Sequence, residues 1–188
     1  MDPTLIQPVV LVGGKSRRFG RDKLREPIGG EALVSRPIAA LRAVFGPCVG
    51  LVGACDPAVA ALGDLVIPDP YPGVGPAGGV LAALEHAGGA VFVLSGDLPA
   101  ITPGVVRSIL DAASDSPGAH ACLGFTGRPE PCIGLYRPTA IGVLRASAAR
   151  GGGLGRAIDK ANLVLVPIAP RTAQNINRRE DLPGDHTD

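Results

Sequence analysis

The segment 13–23 (GGKSRRFGRDK) holds the densest group of chemically active residues in the chain. Gly13 and Gly14 lack a β-carbon, so the backbone can turn sharply there and present N–H groups to phosphate oxygens. Cations surround these glycines, and Asp22 is the only acid in the segment. The apolar run at 8–12 predicts a buried strand, which places the loop at the carboxyl edge of an α/β sheet, where ligands bind. These residue types together indicate a site for a highly anionic ligand.

The cations of this loop divide into two groups. We expect Arg18 and Lys23 to contact phosphate. The other cations are more typical of a solvated loop, and they are Lys15, Arg17, Arg21 and Arg25. The triplet 14–16 resembles the end of a P-loop, but Val9 occupies the position of that motif's first glycine, so a P-loop is excluded.

A carboxylate follows the apolar run 91–94, in the segment Ser95-Gly96-Asp97-Leu98-Pro99. Mg²⁺ prefers one or two carboxylates together with substrate phosphates, so Asp97 is a candidate metal ligand. The alternative is that Asp97 caps the turn that follows. Metal binding is favoured because the cationic loop is predicted to leave the same edge of the sheet.

Two further polar groups carry weaker signals. Asp69 lies in a loop rich in proline and glycine at 68–79, and its carboxylate could accept hydrogen bonds from N1–H and the 2-amino group of guanine. On residue type alone, a turn-forming role is favoured for Asp69. Asn175 and Asn177 flank Ile176 and could both reach one face, where amides can donate to phosphate or to a polar heterocycle. Asn pairs also mark turns and helix starts, so this signal is weak by itself.

The elements that must position these residues follow from the pattern of apolar residues. Strands are predicted at 8–12, 48–52, 65–67, 91–94, 119–123, 132–136 and 163–168. Helices are predicted at 33–44, 77–87, 103–113 and 138–149. Strands that alternate with helices indicate βαβ units and an α/β fold with a mainly parallel sheet. The order of the strands is not predicted by these patterns.

Length and charge narrow the class of protein. A chain of 188 residues suits one domain, which we assign to 1–182, with a disordered tail expected at 183–188. The formal net charge of +1 argues against duplex nucleic acid as a partner, because binders of the phosphate backbone carry a broad basic surface. No apolar run approaches the length that crosses a bilayer, so no membrane association is expected.

The cysteines predict neither a metal site nor a disulfide framework. They show no CxxC pairing and no histidine at the spacing of zinc ligands. Unpaired thiols are typical of a reducing compartment, and a cytoplasmic location is therefore expected. The residues concerned are Cys48, Cys55, Cys122 and Cys132.

Taken in order along the chain, these motifs resemble the molybdenum cofactor guanylyltransferase family, within the wider class of Rossmann-like nucleotidyltransferases. The opening segment is similar to the family signature, with Phe19 where Met is usual, and its Asp22-Lys23 ending favours this family over the cytidylyltransferases. Later family blocks are matched by Gly75-Pro76-Ala77-Gly78-Gly79, Gly96-Asp97-Leu98-Pro99, Arg128-Pro129-Glu130-Pro131 and Asn175-Ile176-Asn177.

The resemblance implies a three-layer fold and a Mg²⁺-dependent reaction. The guanylyl group of GTP would be joined to the terminal phosphate of molybdopterin with release of pyrophosphate, and transient contact with proteins of cofactor biosynthesis or with acceptor proteins is implied. Arg18, Lys23 and Asp97 would be catalytic, with Asp97 on Mg²⁺, and Asn175 and Asn177 would face the acceptor. The nucleotide would be bound by Leu11, Val12, Gly13, Gly14, Ser16, Lys23, Gly53, Asp69, Gly78 and Asp97.

One departure from the family keeps other functions open. Related chains carry Asn after the second strand, whereas this chain has Gly53-Ala54-Cys55. A cytidylyltransferase, or a transferase for another phosphorylated acceptor, is therefore an alternative with the same fold. A second alternative is a nucleotide-binding regulator without turnover, although the presence of both Lys23 and Asp97 counts against it.

Overall fold

A central β-sheet flanked by helices forms the protein in the computed structural model, which describes residues 2–13, 22–71, 73–151, 153–176 and 181. The strands are β1 (Ile6–Leu11), β2 (Pro27–Ile28), β3 (Glu31–Ala32), β4 (Gly50–Val52), β5 (Leu65–Ile67), β6 (Ala90–Ser95), β7 (Ala121–Phe125), β8 (Pro129–Tyr136) and β9 (Leu163–Pro167). Within the described residues, β2 and β3 form a separate hairpin and the others form one sheet in the order β5-β4-β1-β6-β8-β7-β9. β8 is antiparallel to β6 and β7, and the other neighbours in this sheet are parallel. The predicted mainly parallel, mixed α/β sheet is confirmed.

The helices are α1 (Ser35–Phe45), α2 (Pro57–Ala60), α3 (Pro76–Ala87), α4 (Pro103–Asp115) and α5 (Ile141–Ala149). α4 begins where the sequence predicts, because Thr102 caps it through the Val105 amide and Pro103 occupies its first turn. α3 ends at Ala87 and is capped by Gly88, whose φ of 61° is the left-handed conformation that glycine adopts at helix ends. None of the helices in the described ranges is long and apolar enough to cross a membrane.

The sheet buries both of its faces, which produces the three layers. Successive residues of β6 alternate between the faces, as strand geometry requires. Phe92 and Leu94 join the apolar cluster that contains α1 and α4, whereas Val91 and Val93 join the cluster that contains α3 and α5. All four side chains are fully buried. This two-sided burial explains the continuous apolar run in the sequence.

Differences between expectation and structure lie mainly in short elements. The predicted helix at 138–149 is divided into a 3-10 turn, Pro138–Ala140, and α5. The hairpin of β2 and β3 was not predicted, because two-residue strands carry no periodic pattern. Its turn residues, Gly29 and Gly30, have φ values of 61° and 84°, the backbone that a tight hairpin turn needs.

The ends of β1, β4 and β6 converge at one edge of the sheet. The amides of Val12 and Gly13 both donate to the carbonyl of Val52, at 3.0 and 3.2 Å. The amide of Gly96 donates to the carbonyl of Leu11 at 3.0 Å. The segments that follow β1, β4 and β6 therefore leave the sheet side by side.

Candidate functional site

Lys23 and Asp97 form an ion pair at this edge. The Nζ atom of Lys23 lies 2.6 Å from Oδ2 of Asp97, although 74 positions separate the two residues in sequence. Oδ1 of Asp97 accepts a hydrogen bond from the Ser95 hydroxyl, also at 2.6 Å. The exposed fractions are 19% for the Lys23 side chain and 9% for the Asp97 side chain. Two residues predicted for phosphate and metal contact thus meet in one largely buried pair.

The alternative role for Asp97, as the cap of the turn that follows, differs from the observed geometry. In the described part of the chain, its carboxylate accepts hydrogen bonds from the side chains of Ser95 and Lys23. Its backbone carbonyl accepts from the amide of Ile176 at 3.1 Å. Side-chain partners on both oxygens orient the carboxylate toward the loop edge and away from a local turn.

Local contacts fix the position of Lys23. Asp22 caps the 3-10 helix Lys23–Arg25, because its Oδ1 accepts from the Leu24 amide at 3.1 Å. Leu24 is 5% exposed and packs against Gly96, where a β-carbon would lie 3.1 Å from Cδ2 of Leu24. Glycine at 96 therefore lets the segment of Lys23 close onto the segment of Asp97.

Arg25 is the described member of the cations predicted to be solvated. Its side chain is 55% exposed and pairs with Asp56 at 3.0 Å. This position agrees with a surface role. The other members, Lys15, Arg17 and Arg21, lie outside the described residues.

The segment that contains Asn175 joins the ion pair through its backbone. The carbonyl of Ile176 accepts a hydrogen bond from Nζ of Lys23 at 2.9 Å. Because the Ile176 amide donates to Asp97, one peptide segment contacts both members of the pair. The structure thus brings Asn175 next to Asp97, and Asn177 lies outside the described residues.

Gly13 and Gly53 bring two loops into close contact. Gly53 has a φ of 103°, and a β-carbon there would lie 2.7 Å from Cα of Gly13. In the segment after the second strand of the βαβ pattern, where related chains carry Asn, this chain thus has a glycine whose conformation and packing both disfavour a side chain. The Gly13 amide donates to the Val52 carbonyl in this structure. Gly14 and Ser16 lie outside the described residues.

Asp69 has the turn-forming contact that its residue type predicts. Its Oδ1 accepts from the Tyr71 amide at 2.9 Å. The turn rests on the first turn of α3, since a β-carbon at Gly78 would lie 2.8 Å from Cβ of Tyr71 and 3.3 Å from Oδ1 of Asp69. Asp69 and Gly78, both predicted to bind nucleotide, are therefore direct neighbours.

A hydrogen-bond relay connects this turn to two helices. The Tyr71 hydroxyl donates to Oε2 of Glu85 on α3 at 2.7 Å. Nε of Arg145 on α5 donates to Oε1 of Glu85 at 3.1 Å. The hydrogen bonds from Tyr71 and Arg145 lower the pKa of Glu85, and the bond to Glu85 raises the pKa of Tyr71. At neutral pH the relay therefore joins a charged Glu85 to a protonated Tyr71.

A cavity of about 350 Å³ opens beside Asp97, at the start of β8. Its walls include Leu98, Glu130, Cys132 and Asn175. Burial, followed by the negative charges of Asp97 and Glu130, raises the pKa of the Cys132 thiol to about 12. The thiol is thus neutral at physiological pH and adds a weakly polar group to the wall of the cavity.

Several contributors were not assigned a role from the sequence. Ser95 stood within a recognised motif, but a hydroxyl that orients a carboxylate leaves no separate pattern. The Ile176 carbonyl is a backbone group and carries no residue-type signal. Glu85 and Arg145 look like ordinary helix surface charges in sequence, since the relay depends on how α3 and α5 pack. Leu11 is the last residue of β1 and Val12 follows it, one residue earlier than the predicted strand end, and Arg18 lies outside the described residues.

The described geometry defines a class of protein. A three-layer α/β fold carries a lysine, a carboxylate and two glycine-bearing turns at the carboxyl edge of its parallel strands, which is where such sheets bind nucleotides. No group of three or more His, Cys, Asp or Glu that could hold a metal ion occurs among the described residues. The fold and this edge are those of a nucleotide-binding α/β protein, and a match to an NTP transferase family shows that the chain is an enzyme of the nucleotidyltransferase class.

Comparison with known proteins defines the family. The model of the MobA-like NTP transferase domain matches residues 8–164, and the chain belongs to this family. The molybdenum cofactor guanylyltransferase of Rhodobacter capsulatus is 30% identical over 184 residues, which cover 94% of this chain and 93% of that protein. The molybdenum cofactor guanylyltransferase of Rhizobium meliloti strain 1021 is 38% identical over 142 residues, covering 71% of this chain and 63% of that protein.

A solved structure supports the fold. The crystal structure of molybdopterin-guanine dinucleotide biosynthesis protein A from Archaeoglobus fulgidus superimposes with a TM-score of 0.76. The match covers 94% of this chain and 95% of that chain at 24% sequence identity. The family resemblance and the three-layer fold expected from the sequence are confirmed.

Proposed function

We propose that the protein transfers the guanylyl group of GTP to the terminal phosphate of molybdopterin and releases pyrophosphate. An oxygen of the acceptor phosphate attacks the α-phosphorus, a new P–O bond forms, and the bond from that phosphorus to the β-phosphate oxygen breaks. Such a reaction needs positioning of two polyanions and stabilisation of the charge that builds on the leaving group. Relatives named for this activity match most of the chain and support the assignment.

The pairing of Lys23 with Asp97 is the observation that carries this proposal. Before substrate arrives, the Lys23 ammonium is held by Asp97 and by the Ile176 carbonyl. The oxygens of a triphosphate can replace these partners. The ammonium is therefore already positioned where the negative charge of the triphosphate must be bound. Arg18 is assigned the neighbouring phosphate contact by the family motif.

The nucleotide is assigned to the edge formed by the ends of β1, β4 and β5. Leu11, Val12 and Gly13, with Gly53 opposite, provide a backbone surface on which the nucleoside can lie, and the motif adds Gly14 and Ser16. Asp69 is assigned to the guanine N1–H and 2-amino group. Its Oδ1 already accepts from Tyr71, which fixes the direction in which the carboxylate faces. Gly78 leaves room for this turn beside α3.

Asp97 suits a Mg²⁺ ion by the chemistry of its donors. Magnesium is commonly bound through one or two carboxylates together with substrate phosphates, and Asp97 presents one carboxylate at the phosphate edge. A bound ion would neutralise phosphate charge. Ser95 holds the carboxylate in place through Oδ1.

The acceptor is assigned to the cavity that lies beside Asp97. Asn175 lines this cavity and offers an amide to a phosphate or to a polar heterocycle. Asn177 is assigned to the same substrate by the family motif. The acceptor phosphate would then approach the α-phosphorus from the β8 side of Asp97.

The test is a nucleotide screen. Purified protein is mixed with Mg²⁺, molybdopterin and each of GTP, CTP, ATP and UTP, and pyrophosphate release is followed. We expect release with GTP that depends on both Mg²⁺ and molybdopterin. Release with CTP alone would move the protein to the cytidylyltransferases, and no release with any triphosphate would identify it as a non-catalytic binder.

A further inference from the structure

The cavity beside Asp97 is separate from the turns assigned to the nucleotide. Asp69 follows β5, and Asp97 follows β6, three places further along the order of the sheet. The cavity lies on the other side of Asp97, because β8 is the next strand and its first residues form one wall. The turn assigned to the nucleotide and the cavity thus lie on opposite sides of the ion pair, the turn toward β5 and the cavity toward β8.

Glu130 is the acidic side chain that lines this cavity, and it is partly buried. Its side chain is 14% exposed. Oε1 accepts from the hydroxyl of Thr126 and from Nε of Arg128 at 3.2 Å. Both donors come from the tight turn between β7 and β8, where Thr126 bonds back to the Arg128 carbonyl and Gly127 has a φ of 96°. The carboxylate is therefore oriented by a rigid turn through one of its two oxygens.

Cys132 lines the cavity together with Glu130 and with Leu98, the neighbour of Asp97 in sequence. Its thiol lines the cavity and feels the negative charges of both carboxylates. The half-buried Cys132 thiol adds no charge of its own. The cavity is also lined by Glu130 and Arg128, which pair with each other at 3.2 Å, and by the amide of Asn175. A ligand that contacts the Glu130 carboxylate would offer hydrogen-bond donors to it.

The chemistry of a carboxylate selects a particular heterocycle edge. Two adjacent N–H donors, as in a 2-amino-4-oxopyrimidine, can bond to a carboxylate, and charge assistance makes such bonds stronger than neutral ones. Guanine and pterins share this edge. The cavity volume lies within the range of sites for small organic ligands, which is about 300–1,000 Å³.

We propose that Glu130 recognises the 2-amino-4-oxo edge of the acceptor's pterin ring. This inference rests on the proposed function, because it takes a pterin as the acceptor. The site then uses one carboxylate for each of its two heterocycles, Asp69 for guanine and Glu130 for the pterin. Glu130 is a residue that determines acceptor specificity, and the chemistry of transfer stays with Lys23 and Asp97.

Steady-state kinetics of Glu130→Gln test the inference. Glutamine keeps the size and one carbonyl acceptor but loses the charge, so KM for molybdopterin should rise about tenfold, as expected for loss of a charge-assisted hydrogen bond. KM for GTP should stay unchanged. Glu31→Gln, on the exposed hairpin strand β3, is the matched control and should leave both constants at wild-type values.

A binding experiment separates recognition from a general defect. A phosphorylated pterin and the corresponding lumazine, which has oxygen in place of the 2-amino group, are titrated by fluorescence without nucleotide. Wild-type protein should prefer the pterin about tenfold, and Glu130→Gln should lose this preference. Glu130→Asp, which keeps the charge, should retain part of the preference for the pterin. This variant replaces Glu130→Gln in the experiment if Glu130→Gln does not fold.

The outcomes are distinguishable from failure of the proposed function. If wild-type protein turns over GTP and molybdopterin while Glu130→Gln keeps the wild-type KM and pterin preference, the role of Glu130 is wrong and the proposed function stands. If wild-type protein neither binds the pterin nor releases pyrophosphate, the proposed function fails, and the role of Glu130 fails with it.

Discussion

The turn that carries Asp69 and the cavity that contains Glu130 lie on either side of the Lys23–Asp97 pair, and they are held by different means. Asp69 is fixed by the Tyr71 amide, and Tyr71 is tied through Glu85 to α3 and α5. The Glu130 side chain is held by Thr126 and Arg128 of the β7–β8 turn, and its backbone belongs to β8, where it pairs with Gly124 of β7. The carboxylate on the nucleotide side is thus braced by side chains from two helices, whereas the carboxylate on the acceptor side is held by a hairpin turn and the strand that follows it.

This difference indicates how each side should respond to substitution. Changes in the brace act at a distance from the ligand and should affect nucleotide use in small steps. Changes in the cavity act locally and should affect acceptor use alone. The ion pair belongs to both sides, so its loss should affect every substrate at once.

Asp97→Asn should have the largest effect. Loss of the charge removes the partner of Lys23 and the carboxylate assigned to Mg²⁺, and kcat should fall about 10²–10³-fold, as for removal of one main electrostatic group from an active site. Pyrophosphate release measures this loss, and circular dichroism should show an intact fold. Asp111→Asn, at an exposed site on α4, is the control. A wild-type rate in Asp97→Asn would remove Asp97 from the site.

Lys23→Met should be the next most severe change. Methionine keeps most of the aliphatic stem and removes the ammonium, so kcat/KM for GTP should fall about 10–100-fold through loss of charged hydrogen bonds. The constants for both substrates should worsen together if the pair serves both sides. Lys160→Met, at an exposed position, is the matched control. A defect confined to molybdopterin would contradict the assignment of Lys23 to the triphosphate.

Gly53→Ala tests the backbone of the nucleotide side. Alanine at a φ of 103°, with its β-carbon 2.7 Å from Cα of Gly13, should cost about 1–3 kcal/mol of unfolding free energy and weaken GTP binding. Urea unfolding measures the first effect and a GTP titration the second. Gly118→Ala is the control, since Gly118 has open space around the β-carbon position. Equal stability of the two variants would mean that the Gly13–Gly53 contact is not tight.

The sequence predicts some residues on the two sides of the ion pair and not others. Lys23 and Asp97 were expected at one edge of the sheet because each lies in a segment that follows a predicted strand. Their direct contact could not be predicted, because it depends on the order of the strands in the sheet. β8 could not be recognised as antiparallel, since an apolar run reads the same in either direction. The relay through Tyr71, Glu85 and Arg145 was invisible because it joins side chains on three separate elements. Glu130 was visible as part of a family block, but the cavity beside it exists only in the folded chain.

Tyr71→Phe measures the brace directly. Removal of one hydroxyl breaks the bond to Glu85, and KM for GTP should rise about two- to tenfold with kcat nearly unchanged, the effect of one neutral or charge-assisted hydrogen bond. Preference for GTP over ITP, which lacks the 2-amino group, should fall because Asp69 is less well oriented. KM for molybdopterin should stay constant.

A double-mutant cycle with Glu85→Gln is the control for this brace. Each change in KM for GTP is converted to a free energy as RT ln of the ratio of variant to wild-type KM. If Tyr71 and Glu85 act through one hydrogen bond, the free-energy change of the double variant should be smaller than the sum of the two single changes. Additive effects, or an unchanged ratio of GTP to ITP use in Tyr71→Phe, would mean that the relay does not orient Asp69.

Cysteine reactivity provides the smallest but most local test of the acceptor side. Because the pKa of Cys132 is raised to about 12, its thiol should be almost fully protonated at pH 8 and react slowly with iodoacetamide, which attacks thiolates. Cys48 is exposed and serves as the internal reference in the same sample. Mass spectrometry should therefore detect Cys48 alkylation well before Cys132 alkylation.

Glu130→Gln removes one of the negative charges that raise the pKa of Cys132, so it should speed Cys132 alkylation. Tyr71→Phe, on the other side of the ion pair, should leave the rate of Cys132 alkylation unchanged.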